Sequence, residues 1–295
     1  MDSTFQVARE WGILPNVLCP TNETFEFLEN VLKEVIDIFP GQYIHIGGDE
    51  CPREQWNRSD FCHALMRQHG MQTFDELQTW FMRRISQFLQ SHGRKAIGWD
   101  EIIDGGAVEG AVIMSWRGEE GGIAAAGKGN NVIMTPHRFF YLDYYQWRLR
   151  DQEPLAQGGY LPLSMVYMYD PVPNVLTDEQ KKRILGAQGN LWTEYIKDFR
   201  HVEYMAYPRA CAIAETTWTP ADKKSYDQFL FRMREYIKDF RHVEYMAYPR
   251  ACAIAETTWT PADKKSYDQF LFRMREYSKR LDIMNVNFAR HFLGR

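Results

Sequence analysis

Residues 194–234 recur without a single change as residues 235–275, and this repeat sets the firmest limit on how the chain can fold. The unit opens Glu194-Tyr195-Ile196 and closes at Arg234; the second copy opens Glu235-Tyr236-Ile237, and Glu276-Tyr277 follows it, so the period is 41 residues. Solenoid repeats have periods of this size, but they stack at least three divergent units into one continuous core. Here there are two identical units. A close-packed interior has one native place for such a segment. The expected organisation is one domain over 1–234, a duplicate at 235–275, and the helical end of the domain at 276–295.

The rest of the chain reads as strands alternating with helices. Phe25, Leu28, Leu32, Val35 and Phe39 recur at helical spacing over 24–39, and Pro40-Gly41 stops the run. Tyr43–Ile46 is a short strand. Thr73 and Glu76 form a capping box for a helix over 74–91 with Leu77, Phe81, Ile85 and Phe88 in its stripe. Strands are expected at Lys95–Trp99, Ala111–Trp116, Val132–Thr135 and near Leu185–Leu191, with a long loop over 148–175. A helix is expected at 202–214, and Thr219-Pro220-Ala221-Asp222 opens a further one. Such alternation predicts parallel βα units. The pattern leaves two α/β forms open: an incomplete (β/α)8 barrel with about five of its eight strands, or an open sheet.

A net charge of −4 gives no reason to expect nucleic acid. No apolar run reaches the length of a membrane span, and no signal peptide pattern opens the sequence. Cys19, Cys51, Cys62, Cys211 and Cys252 show no CxxC or zinc-ligand spacing, so free thiols and no metal or other cofactor are expected.

The chemistry gathers at strand ends: Asp49-Glu50, Trp99-Asp100-Glu101, Trp116-Arg117-Gly118, Tyr141-Leu142-Asp143 and Trp192-Thr193-Glu194. In parallel α/β folds these ends converge on one face, where ligands bind. One Asp-Glu pair alone is as readily a helix cap, and one Trp is as readily core. Recurrence at successive strand ends favours a site. Carboxylates beside flat aromatic walls suit sugar hydrolysis, which needs a proton donor, negative charge near a cationic transition state, and surfaces for a pyranose ring. A carboxylate–Mg²⁺ centre using Asp49, Glu50 and Asp143 is a competing reading.

These same words carry a family resemblance. His45-Ile46-Gly47-Gly48-Asp49-Glu50 resembles the signature of family 20 β-N-acetylhexosaminidases. Gly98–Glu101, Ser115–Gly118, Tyr141–Tyr145, Gly189–Glu194 and Val202–Arg209 follow in that family's order. The resemblance implies a (β/α)8 barrel and a retaining, substrate-assisted removal of terminal β-linked N-acetylhexosamine from glycans through an oxazolinium. It implies Glu50 as general acid and then base, and Asp49 as the residue orienting the substrate's 2-acetamido group. Trp99, Trp116 and Trp192 become walls of the sugar pocket. Tyr141 bonds the acetamido oxygen, Asp143 supports the site nearby, and Glu194 accepts from sugar hydroxyls. His45 becomes a buried supporting residue. Glu235 copies Glu194, but Met233 stands where Trp192 should, so binding is assigned to Glu194 alone. The family's first three barrel strands, with an Arg and a His-Asp pair, have no counterpart among the words read here. A noncatalytic N-acetylhexosamine-binding module is the alternative. Localisation and oligomeric state stay open.

Overall fold

The computed structural model describes residues 8–237 and 266–283. Two compact units are distinguished, one from residues up to 35 and 43–224, the other from 36–42 and 225 onward.

In the first unit five strands form one parallel sheet: β1 (Tyr43–His45), β2 (Lys95–Trp99), β3 (Val112–Ser115), β4 (Asn131–Met134) and β7 (Ile184–Ala187). Their order in the sheet is their order in the chain, with every pair parallel. A doubly wound sheet reverses its strand order at a switch point, whereas a barrel adds each strand beside the last. The order observed is the barrel's, and it resolves what the hydrophobic pattern left open. All four residues of β3 are buried, as expected of a parallel strand covered on both faces.

Helices α1 (Asn22–Ile38), α2 (Glu54–Asn57), α3 (Asp60–His69) and α4 (Phe74–Ser91) occupy the connection around β1. The expected capping box of α4 is present, with Thr73 Oγ1 accepting from Glu76 N and the Glu76 carboxylate accepting from Thr73 N. Leu77, Ile85 and Leu89 are buried along one side of α4, each contributing about 1.5–3 kcal/mol. Phe25 of α1 sits edge-on to Trp80 at 5.6 Å, which fixes α1 on α4. The expected helix over 24–39 ends at Ile38, leaving Phe39 exposed. Helices α2 and α3 were not read from the sequence. The signals of α3 are the Ser59 N-cap and the left-handed Gly70 that ends it, whereas α2 has no side-chain cap.

Helix α5 (Glu120–Gly127) packs on β3 and β4. The stretch expected as one long loop carries structure instead. Its elements are a 3₁₀ turn at Arg150–Gln152, strand β6 (Gln157–Tyr160) and α7 (Leu163–Met168), with α6 (His137–Phe140) and β5 (Tyr144–Tyr145) before it and α8 (Asp178–Lys181) after it. Strand β6 pairs with β5, and glycine at 159 permits the close approach there, since a Cβ would stand 2.2 Å from the Tyr144 ring. The helix expected at 202–214 is two, α9 (Phe199–Ala206) and α10 (Arg209–Trp218), since Pro208 lacks the N–H a continuous helix needs.

In the second unit the described elements are α11 (Tyr226–Ile237) and α12 (Tyr267–Ile283). The expected helix start at Thr219–Asp222 holds a short 3₁₀ turn, and α11 begins after Ser225. Cys19, Cys51, Cys62 and Cys211 are free thiols; Cys252 and most of the second copy lie outside the described residues. Among the described residues no helix is long and apolar enough to cross a membrane.

Candidate active site

The segment after β1 turns through left-handed backbone. Gly47 has φ 69°, Gly48 φ 99° and, unusually for a residue with a side chain, Glu50 has φ 46°. A Cβ on Gly48 would meet Ile102 Cγ2 at 2.1 Å, so glycine is required by space as well as by φ. The turn is held by Trp99 N donating to Gly47 O at 3.0 Å and Gln78 Nε2 donating to Gly48 O at 2.6 Å. Arg53 braces it from outside, donating to Cys51 O, to Gln78 and to Asp75. Asp49 and Glu50 emerge exposed. Partial desolvation, with the adjacent Asp49 charge, raises the Glu50 carboxyl above the usual range.

His45 corrects one expectation. It is exposed rather than buried, although its ring lies against Trp99 with centroids 4.9 Å apart. Its Nδ1 accepts from Gly47 N at 3.1 Å, a role for the neutral ring. Shielding lowers the imidazole pKa, opposed by the Asp49 charge.

The other strand ends close a chain of aromatic contacts. Trp99 meets Trp192 at 6.0 Å, Trp192 meets Tyr141 edge-on at 6.2 Å, and Tyr141 lies nearly parallel to Trp116 at 6.1 Å and 17°. Trp99 and Tyr141 are buried, Trp116 is half-buried, and Trp192 is exposed. Thus His45, Trp99, Trp116, Tyr141 and Trp192, which lie far apart in sequence, form one aromatic surface. Burial raises the Tyr141 hydroxyl, which lies beside the Asn190 amide and the Trp192 indole.

Asp143 is buried, and desolvation pushes its carboxyl up to about 6, with the Glu194 charge adding to the rise and Arg209 opposing it. Its Oδ1 has no hydrogen-bond partner among the described residues. Glu194 itself is exposed. Arg209, fully buried at the start of α10, donates to the carbonyls of Leu142 (2.5 Å), Tyr144 (2.9 Å), Leu161 (3.1 Å) and Met205 (2.5 Å). It therefore ties down the backbone on both sides of Asp143.

Glu101 and Arg117, both at strand ends, make contacts that the sequence pattern does not show. Glu101 accepts the Trp116 indole N–H on both oxygens, at 3.0 and 2.9 Å. Arg117 Nε donates to buried Asp100 at 3.2 Å, and its terminal nitrogens hold Asp104 at 3.0 and 2.8 Å. The dipeptide Asp100-Glu101 was legible as acids at a strand end, but which indole they served was a tertiary fact.

Two cavities are lined by residues other than those of the aromatic surface. One, of about 510 Å³, is lined by Ile123, Phe139, Met165 and Tyr169; the other, of about 450 Å³, lies among Asp100, Asp104, Arg117 and Lys128. Among the described residues no three His, Cys, Asp or Glu side chains converge as metal ligands, so Asp49, Glu50 and Asp143 do not form the carboxylate cluster that the Mg²⁺ reading requires.

The chain matches the family model described as glycosyl hydrolase family 20, catalytic domain, over residues 1–221 and again over 233–262. It belongs to glycosyl hydrolase family 20. The second matched stretch contains residues 235–262, the exact repeat of 194–221, so both copies carry the family pattern. A β-hexosaminidase of Porphyromonas gingivalis is 46% identical over 225 residues, which is 76% of this chain and 29% of that protein. Human β-hexosaminidase subunit beta is 28% identical over 221 residues, 72% of this chain and 36% of that protein. Among solved structures, the family 20 exo-β-N-acetylglucosaminidase of Vibrio harveyi in complex with N-acetylglucosamine superposes with a TM-score of 0.68 at 34% identity, covering 76% of this chain and 35% of that one. The family 20 chain thus spans about a third of the length of the curated relatives it matches. The structural likeness agrees with the barrel-type strand order.

Proposed function

We propose that this chain carries the acid pair and aromatic pocket of a retaining exo-β-N-acetylhexosaminidase acting on glycans that end in β-linked N-acetylglucosamine or N-acetylgalactosamine. The observation that supports this most is the aromatic surface His45–Trp99–Trp192–Tyr141–Trp116 at the strand ends, with Asp49-Glu50 on the turn that leaves His45 and the Asp49 charge felt at its imidazole. Flat rings hold the C–H faces of a pyranose, and the adjoining acids supply the chemistry.

Glu50 protonates the leaving oxygen and later takes the proton from water. Its raised pKa keeps the acid form populated at higher pH than an ordinary carboxyl does. Asp49 orients the 2-acetamido group, whose oxygen attacks the anomeric carbon, and its charge steadies the resulting oxazolinium. Tyr141 bonds the acetamido oxygen, Asp143 supports the site nearby, and Glu194 accepts from sugar hydroxyls. Trp99, Trp116 and Trp192 wall the sugar. His45, accepting from Gly47, steadies the turn that presents the acids. The first repeat copy fills the native place after β7, a reading supported by the buried Arg209.

A second reading, sugar binding without turnover, draws on the exposure of both acids. Turnover of an aryl N-acetyl-β-glucosaminide separates the two. The proposal expects hydrolysis that falls by about 10²–10⁴ in Glu50→Gln and in Asp49→Asn. Binding of N-acetylglucosamine without hydrolysis favours the second reading, and hydrolysis indifferent to both substitutions sinks the first.

A further inference from the structure

Glu101 lies on the short turn Asp100–Ile103 that follows β2, behind the half-buried Trp116. An indole rotates between two broad wells about its Cβ–Cγ bond, and the wells place its N–H on opposite sides. Both Glu101 oxygens accept that N–H, at 3.0 and 2.9 Å. Flipping the ring leaves a donor and a charged acceptor unpaired together, so the carboxylate selects one well.

The carboxylate is itself fixed. The Glu101 side chain is 13% exposed, and Arg117 Nε stands 3.9 Å from its Oε2 while donating to Asp100 at 3.2 Å. Asp100 Oδ1 accepts from the Trp116 backbone N–H at 3.4 Å. Trp116 is thereby held at its backbone and at its ring edge by consecutive acids of one turn. The next residue after it, Arg117, locks that turn through Asp104. The ring so fixed runs nearly parallel to Tyr141 across the aromatic surface.

From this arrangement we infer that Glu101 is a positioning residue for Trp116, setting the edge and tilt that this wall presents to the N-acetylhexosamine ring. The inference deepens the proposed function and rests on it for the identity of the sugar. Burial raises the Glu101 carboxyl to about 7. The acceptor therefore gains its charge in the neutral range, and a charged acceptor grips the indole more strongly than a neutral one. A bond that served fold stability alone would show the same titration at the Trp116 nitrogen, so sugar affinity is the readout that separates positioning from stability.

The test uses the whole chain. In its indole ¹H–¹⁵N spectrum the Trp116 cross-peak is assigned by its loss in Trp116→Phe. That cross-peak is expected to move through a step centred near pH 7 that vanishes in both Glu101→Gln and Glu101→Ala, whereas any step from His137, whose ring lies 6.3 Å away and whose pKa is lowered by burial, persists in both variants. N-acetylglucosamine is then titrated into the same samples at alkaline pH. Glu101→Ala should weaken binding about tenfold, and Glu101→Gln, which keeps an acceptor, should restore most of it. A Trp116 signal indifferent to pH and to both substitutions overturns the inference, as does an alanine variant that binds sugar like the wild type. A wild-type chain that shows the pH-dependent signal but binds no N-acetylglucosamine upholds the coupling and removes the proposed sugar instead.

Discussion

Glu50 holds its side chain on backbone that glycine usually occupies, at φ 46°, a conformation that costs about 1–3 kcal/mol and persists where surroundings enforce it. The enforcement comes from the bonds of Trp99 N to Gly47 O and Gln78 Nε2 to Gly48 O, which hold a path that Gly47 and Gly48 permit. Gly48→Ala combines an unfavourable φ with a 2.1 Å approach to Ile102, and we predict a loss of about 2–4 kcal/mol in urea unfolding, with activity falling alongside. Asp143 makes a pH-dependent prediction. Its carboxyl is raised from 3.8 to about 6 by burial, so the folded state favours the protonated form. That stability is fully present below the unfolded pKa and is lost as pH rises through about 6. Asp143→Asn should therefore raise the melting temperature at pH 8 relative to wild type, by the equivalent of about 3 kcal/mol at most, and should change it little at pH 4. Equal shifts at both pH values would contradict the cause assigned. The residue types of the candidate site were legible because acids and aromatics recurred after strands. The Glu101–Trp116 bond and the carbonyl contacts of Arg209 were not, because each joins segments whose proximity only the packed fold creates.

At the scale of elements, the repeat gives a natural experiment. Tyr226–Tyr236 and Tyr267–Tyr277 are the same eleven residues, and both are helical. Each opens on a serine whose Oγ accepts from the glutamine three residues on, Ser225 from Gln228 at 3.4 Å and Ser266 from Gln269 at 3.3 Å. Capping is local, so identical sequence gives identical starts. Burial differs between the copies: Phe229 is buried while Phe270 is half-buried, and Met274 is buried while Met233 is half-buried. Burial is decided by neighbours, which the sequence of the helix does not contain. The same division explains the reading of the fold. Periodicity and capping located the five strands of the main sheet and α4, yet α2, β6 and α7, of four to six residues, escaped as too short to show a period, and α3 escaped although Ser59 and Gly70 bound it. Arg209 makes the element-scale prediction. Arg209→Met leaves four carbonyls without their donor, and we expect a loss of about 3–5 kcal/mol, read as a lower denaturation midpoint with weaker sugar binding. An unchanged midpoint would mean that α10 does not depend on this anchor.

For the whole molecule, deleting residues 235–275 joins Arg234 to Glu276 and regenerates the sequence of α12 from Tyr226 onward. The single-copy chain should keep the five-stranded sheet and its melting temperature within about 4–8 °C, the shift that ~1 kcal/mol produces in a small domain, because Arg209 and its partners are untouched. Loss of cooperative unfolding would show that the second copy carries part of the native core. The strand order and the aromatic surface bear on one claim, that two consecutive acids serve a single sugar whose own amide is the nucleophile. The direct measurement is ¹H NMR of the first product formed from an aryl N-acetyl-β-glucosaminide, run beside the matching β-glucoside that lacks the acetamido group. The account predicts that the β-anomer of N-acetylglucosamine appears first and that the glucoside is left intact. An α-anomer formed first, or cleavage of both substrates at similar rates, would contradict it.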